Sequence, residues 1–348
     1  MKKGFLYKLL ISFTGLVIVF LFFTLFRTYR RIYYPNVITR KSTDEYIYIR
    51  TGASFEEVMD SLYKNNYIID KGSFEWLAEK KNYKHNIHPG RYRIRNNMSN
   101  NDLINLLRSG KQEPVKVIIN KTRSIEELAG KISRKIEADS LSLVKAFRNN
   151  DLLELLGFNS QTVAAMIIPN TYKFFWNTSA EQFVRRMHKE YLVFWNKERL
   201  EKAQQIGFTP LEVTILASIV SEETMKPSED PVVAGVYINR LKKGMKLQAD
   251  PTVKYAIGDF SLKRIFQKHL QYDSPYNTYL YKGLPPSPIC IPEPSTIDAV
   301  LNYQKHDYLY FCAKDDLSGY HVFAKTLKQH NKNARAYQQA LNRQQAAK

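Results

Sequence analysis

Two adjacent carboxylates, Glu222 and Glu223, close the apolar run LASIVSEET between Leu216 and Thr224. If the run is helical, about 100° per residue puts Leu216, Ile219 and Val220 within about 60° of Glu223, with Ile215 and Val213 near 80° on either side. Glu223 is thus centred on the face that should pack. Glu222 falls about 100° away, beside Ser218 and Leu211, on a face expected to be wetter. A carboxyl group held on an apolar face loses hydration of its charged form, so its pKa rises and it can donate a proton near neutral pH. An acidic residue near a helix end is ordinarily solvated or paired, so the rest of the chain has to supply a task for it.

The motifs of several other chemistries are missing. The chain has no glycine-rich phosphate loop, no HExxH, no GxSxG and no CxxC, which removes the first requirement of nucleotide, zinc-hydrolase and serine-hydrolase readings. His321 and His330 read as structural rather than as metal ligands. Cys290 and Cys312 show no metal spacing; they read as two separate thiols ahead of a pair formed in an oxidising compartment. No metal and no cofactor is expected. Acid chemistry at Glu223 remains, and glycosidic cleavage is the class that fits one raised-pKa carboxyl in an aromatic groove.

The 348 residues, 44% hydrophobic, are enough for two or three domains with real cores. Residues 9–26 carry no charge and are rich in Leu, Ile, Val and Phe, with Lys2, Lys3 and Lys8 before them and Arg27, Arg30 and Arg31 after. Such a segment makes about 27 Å of helix, close to the thickness of a bilayer core. Without a small-x-small exit it reads as an uncleaved single-pass anchor, with residues 1–31 as tail and span. The flanking charges give little preference for orientation. Net charge is +19, and the six basic residues of 1–31 leave +13 on the body. That excess suits a polyanion. Anchoring favours anionic lipid or cell-wall polymer, and no nucleic-acid partner is expected. The 23 tyrosines also suit sugar faces.

After a linker over 32–44, EYIYIR reads as a strand. Ser54 and Glu57 form a capping box for a helix with Phe55, Val58, Met59 and Leu62 on one face. A second helix is expected near Ser73 to Lys81, then a strand after Pro89 and Gly90, then a helix capped by Ser99 or Asn100 and stopped by Gly110. VKVII and SIEELAGKI repeat the strand and capped-helix plan. Residues 135–200 look helical, interrupted by the aromatic, turn-rich IIPNTYKFFW. Asp230 with Pro231, and Asp250 with Pro251, are expected as helix N-caps followed by proline at the first helical position. Ser295 is expected to cap a further helix. Two strands, YLYFCAK and GYHVFAKT, and a polar helix to Lys348 complete the chain.

The runs LASIVSEET, AGVYINRLKKGMKLQADPTVKYAIG, SPYNTYLYKGLPPSPI and HVFAKTLKQHN, in that order over roughly 161–331, resemble the catalytic domain of the YceG-like family, the membrane-bound endolytic murein transglycosylases. The preceding span and the PGRYRI segment agree with that order. The fold expected is α+β: a single N-terminal transmembrane helix, a small LysM-like α+β module at 45–112, a connecting strand and helices at 113–160, and a larger mixed α+β catalytic domain at 161–348. The resemblance implies that Glu223 is the acid that cleaves between N-acetylmuramic acid and N-acetylglucosamine, leaving a 1,6-anhydro end. It also implies peptidoglycan glycan strands as substrate, peptidoglycan synthases as partners, and a body outside the cytoplasmic membrane. Gln248, Asn277 and Tyr279 are expected to touch sugar or position the acid, with Asn239, Arg240 and Asp250 as further substrate-binding candidates. Asp250 reads equally as a helix cap, and Arg240 either as a structural cation or as the partner of a peptide carboxylate on the glycan. Four positions depart from the family pattern: Ser221 replaces a frequent Glu, Asn170 an Asp in P-D-T-Y, Asn120 to Thr122 a P-E-G, and Glu293 a glycine. Two alternatives stand beside the lytic enzyme: a non-catalytic wall-binding scaffold and a hydrolytic muramidase.

Overall fold

The computed structural model describes residues 2–40, 44–262 and 264–346, and the chain divides into two compact units. The first comprises Met1–Lys116, Lys135–Glu137 and Lys173–Thr178. It begins with α1 (Lys2–Tyr33), of which Gly4–Tyr33 is long and apolar enough to cross a membrane; its most apolar 18-residue window has a mean hydropathy of 2.7 and is fully exposed. The hydroxyls of Thr14, Thr24 and Thr28 donate to carbonyls of their own helix, which lowers the cost of placing them in hydrocarbon. The helix runs directly into the module. Asn100 Nδ2 donates to the Arg31 carbonyl at 2.9 Å, and Asn36 bonds Asn100 and both backbone groups of Asp70. Residues 34–40, expected as linker, are held down: Val37 is buried and pairs with Ile68 as an antiparallel bridge. Residues 41–43 of that stretch lie outside the described residues.

The module pairs β1 (Glu45–Ile49) antiparallel with β2 (Gly90–Ile94), Ile47 opposite Tyr92, and packs them on α2 (Phe55–Lys64), α3 (Lys71–Lys80) and α4 (Asn100–Ser109). Ser54 with Glu57 and Ser99 with Asp102 form reciprocal capping boxes, and Gly110 ends α4 at φ +65°. The core is continuous through Ile47, Phe74, Tyr92 and Leu107. β3 (Val115–Ile119) alternates buried and exposed residues as a half-covered strand does.

The second unit comprises Val117–Arg134, Ala138–Tyr172 and Ser179–Lys348. Its first helices are α5 (Ile125–Ile132), α6 (Ser140–Phe147) and α7 (Asn150–Leu155). The aromatic insert expected to be turn-rich forms β4 (Asn170–Phe174), which pairs with β3 and buries Tyr172 and Phe174. Then come α8 (Ala180–Phe194), α9 (Lys197–Ile206), α10 (Pro210–Glu223), α11 (Asp230–Lys242), α12 (Asp250–Ile257), α13 (Gln267–Leu270) and α14 (Pro294–Leu301). A hairpin of β5 (Tyr310–Ala313) and β6 (His321–Ala324) precedes α15 (Leu327–Ala346). Residues 347–348 of the expected terminal helix lie outside the described residues.

The axis of this unit is α10. Thr209 and Glu212 form its capping box with Pro210 in the first turn, and every residue from Val213 to Val220 is buried. The face expected to be wetter is therefore covered: Ser218 donates to the Ile215 carbonyl at 2.7 Å and accepts the Ile289 N–H at 3.0 Å. Both Asp-Pro steps also differ from expectation. Asp230 and Asp250 are the first helical residues, with Glu229 and Ala249 at the cap positions, and neither aspartate caps. Asp230 instead accepts from Thr296, while Glu293, not Ser295, is the cap residue of α14. Proline fits the first turn in each case because its missing N–H would have no partner there.

Helix α11 approaches the 304–306 segment at Gly235. A Cβ there would lie 2.5 Å from the Gln304 carbonyl oxygen and 2.6 Å from His306 Nε2. Backbone cannot yield cheaply, so Gly235→Ala is expected to destabilise the unit by about 1–3 kcal/mol. Thermal unfolding of the full chain in detergent checks this, and an unchanged Tm would contradict it.

Candidate active site

Glu223 is the last residue of α10, and Tyr237, one turn and a half before the end of α11, faces it. The Tyr237 hydroxyl donates to Glu223 Oε1 at 2.6 Å. The Glu223 residue keeps some access to solvent, but its carboxyl is crowded by protein. Loss of hydration dominates and raises its pKa to about 7, against the lowering pull of the Tyr237 hydrogen bond. The charge of Asp250 adds to the rise, while Arg240 and Lys254 oppose it. Tyr237 is itself held well above its ordinary pKa by burial and by the facing carboxylate, so it remains a hydrogen-bond donor.

Glu222 sits in a different setting. Lys121 Nζ lies 2.6 Å from Glu222 Oε1 and 2.5 Å from the Ser221 carbonyl oxygen. Of the two neighbouring carboxylates, Glu222 is thus engaged by a lysine, whereas burial holds Glu223 toward its protonated form. Both cysteines are free thiols, and burial raises Cys290, beside Ser221, to about 11. Among the described residues no group of three or more His, Cys, Asp or Glu side chains is placed to hold a metal ion.

Two segments meet beside Glu223. Gln248 adopts φ +50°, a left-handed conformation that costs an ordinary residue on the order of 1 kcal/mol. The 278 strand of chain pins it there. Gln248 N–H donates to the Thr278 carbonyl at 3.1 Å, Ala249 N–H donates to Thr278 Oγ1 at 3.0 Å, and the buried hydroxyls of Thr252 and Thr278 lie 2.8 Å apart. The result is an exposed Gln248 side chain and an exposed Asp250 whose carboxylate accepts from Tyr279 at 2.6 Å. Tyr279 is half-buried and senses the charge of Glu223.

The other expected site residues are structural in their contacts. Asn277 is fully enclosed; its amide donates to the carbonyls of Leu270 and Tyr272 and its oxygen accepts the Tyr279 N–H. Its polar atoms are thus engaged by the backbone of the turn that leads into Tyr279. Asn239 donates to the carbonyls of His306 and Tyr308. Arg240 is buried and bonds the carbonyls of Leu309 and Leu247 at 2.6 and 2.7 Å, with Tyr310 against its guanidinium. It meets carbonyls rather than a carboxylate, so it ties the 247–248 segment to β5. Behind the site, Glu229 accepts from Thr224 and pairs with His321 at 2.8 Å, fixing the chain just after Glu223.

Tyr237 and the Thr252–Thr278 pair carry no role in the sequence reading. Tyr237 lies inside AGVYINR, and its one signal is a hydroxyl in an otherwise apolar helical stretch, where a buried polar tip has to find a partner. The two threonines lie within the runs that resemble the family, but nothing local pairs residues 26 positions apart.

The profile of the YceG-like family matches residues 47–336. An endolytic murein transglycosylase of Bacillus subtilis is 29% identical over 315 residues, 85% of each chain. A protein of the same name from Streptococcus pneumoniae R6 is 25% identical and matches 82% of this chain, which spans 57% of that longer relative. The crystal structure of a putative YceG-like protein from Listeria monocytogenes superposes with a TM-score of 0.56 at 28% identity, covering 84% of this chain and 99% of the other. With most of its length matched and its α+β fold shared, the chain belongs to the YceG-like family.

Proposed function

We propose that the protein is a membrane-anchored endolytic transglycosylase of peptidoglycan, with Glu223 as its acid and base. The observation that carries this reading is the Glu223 carboxyl at the end of a buried helix, protonatable near pH 7. The names of the Bacillus and Streptococcus relatives support the substrate class.

In the proposed reaction the proton sits on Glu223 Oε2, because Oε1 accepts from Tyr237. It passes to the oxygen linking N-acetylmuramic acid to N-acetylglucosamine, the glycosidic bond breaks, and positive charge develops at the muramic anomeric carbon. The Glu223 carboxylate left behind is steadied by a Tyr237 hydrogen bond that strengthens once its acceptor is charged. It then takes the proton of the muramic C6 hydroxyl as that oxygen bonds to the anomeric carbon. The products are a 1,6-anhydromuramyl end and a free N-acetylglucosamine hydroxyl, and no water is consumed. Gln248 and Tyr279 offer hydrogen bonds toward the sugars, whereas Asn239, Arg240 and Asn277 hold the framework. Cleavage within nascent strands outside the cytoplasmic membrane would end their elongation, with polymerising synthases as partners. The Asp250 charge close to Glu223 favours a second reading, a muramidase in which a carboxylate orients water.

Mass spectrometry of uncrosslinked glycan treated with the full chain separates these readings. Anhydro ends are expected; reducing ends would identify the muramidase, and intact strands a binding protein. Glu223→Gln should lower the rate by at least about 10³-fold, since it removes both proton steps; near-parent turnover would refute the assignment. The second test is pH dependence. A carboxyl with a pKa of about 7 is protonated below that pH and loses its proton above it, so kcat/KM should fall on the alkaline side with a midpoint near 7. Tyr237→Phe removes a hydrogen bond that favours the charged form, and the midpoint should move to higher pH. A downward move would contradict the account of Glu223.

A further inference from the structure

A small cationic pocket opens on the Glu222 side of α10. It is lined by Arg123, Glu222, Pro251, Lys254, Phe260 and Ile289 and holds about 50 Å³. There is room in the pocket for water-sized groups, so a carboxylate can approach the two basic side chains. Its one acid, Glu222, is neutralised by Lys121 at 2.6 Å. Arg123 and Lys254 make no ion pair among the described residues; Glu127, which accepts the Arg123 backbone N–H, gives its carboxylate to Lys131 at 2.7 Å. The Arg123 guanidinium lies over the Phe260 ring, 5.0 Å from its centroid. That contact occupies one face of the planar cation and leaves its N–H edges free for an anion.

We infer that this pocket binds a carboxylate of the peptide carried by the muramic residue being cleaved, making it the element that selects peptide-bearing strands. The inference rests on the transglycosylase reading. Glu222 precedes the acid in α10, and Lys254, one turn beyond Asp250 in α12, acts on the charge of Glu223. The muramic ring attacked at its anomeric carbon bears its lactyl-peptide arm on the same sugar, so the arm falls within reach of groups flanking the acid. Arg240, the sequence candidate for this task, is sequestered on backbone carbonyls. Arg123 and Lys254, by contrast, line a cavity and form no ion pair among the described residues.

The test compares two strands, uncrosslinked glycan with its peptides and the same glycan stripped by an amidase, using the full chain in detergent. Arg123→Gln should lower kcat/KM on peptide-bearing strands about tenfold, the worth of one charge-assisted contact, chiefly through KM. Stripped strands should be cleaved as by the parent, and Arg123→Lys should recover part of the loss. Amidating the peptide carboxylates should reproduce the stripped behaviour. Equal losses on both strands, or none on either, would overturn the inference. Binding of both strands to Glu223→Gln protein, with and without Arg123→Gln, reads the pocket without turnover. Selective binding by a chain that forms no anhydro ends would sink the transglycosylase reading and leave the pocket standing, whereas anhydro ends with no selectivity would do the reverse.

Discussion

The hydrogen bond from Tyr237 to Glu223 joins α10 and α11 at the point where burial and charge oppose each other. Packing α10 on all sides strips water from its last carboxyl, which favours the neutral acid; the tyrosine hydroxyl favours the anion. Burial is the larger of the two, and it leaves a carboxyl that can hold a proton where a fully solvated one would not. The remaining features of the site serve that balance. Thr209 and Glu212 start α10, Glu229 and His321 fix the chain beyond its end, and Arg240 ties β5 to the 247–248 segment.

Much of this was legible in the chain because helical periodicity and capping are local. Glu223 was picked out by its neighbours on one helical face, and Ser54, Ser99 and the glycine at 110 mark their helix ends as their side chains and φ angles require. A single helix cannot report what packs on its other faces. The covered Ser218 shows this, since Ile289, 71 residues away, supplies the N–H it accepts. Asp250 shows it again: Asp before Pro resembles a cap, but Tyr279 outcompetes the helix terminus for the carboxylate. Asn277 lies in the same motif as Tyr279, and motif membership alone does not report that its side chain is enclosed by its own turn.

The departures from the family pattern prove to be spatially related. Glu293 Oε1 accepts the Lys121 N–H at 2.7 Å, and the adjacent Thr122 pairs with Ile291 as an antiparallel bridge. The side chain of that same Lys121 reaches Glu222 and the Ser221 carbonyl. Three of the four unusual positions therefore meet around one lysine at the end of α10.

The joint between α1 and the module bears on mechanics. Because the Arg31 carbonyl is bonded by Asn100 and the chain that follows is sewn down by Asn36 and Val37, the span behaves as a mast rather than a tether. From Phe26 to Tyr33 the helix rises only roughly 10 Å. Any roll or tilt of the helix is thus transmitted to the module, which a flexible stalk would leave free to turn independently.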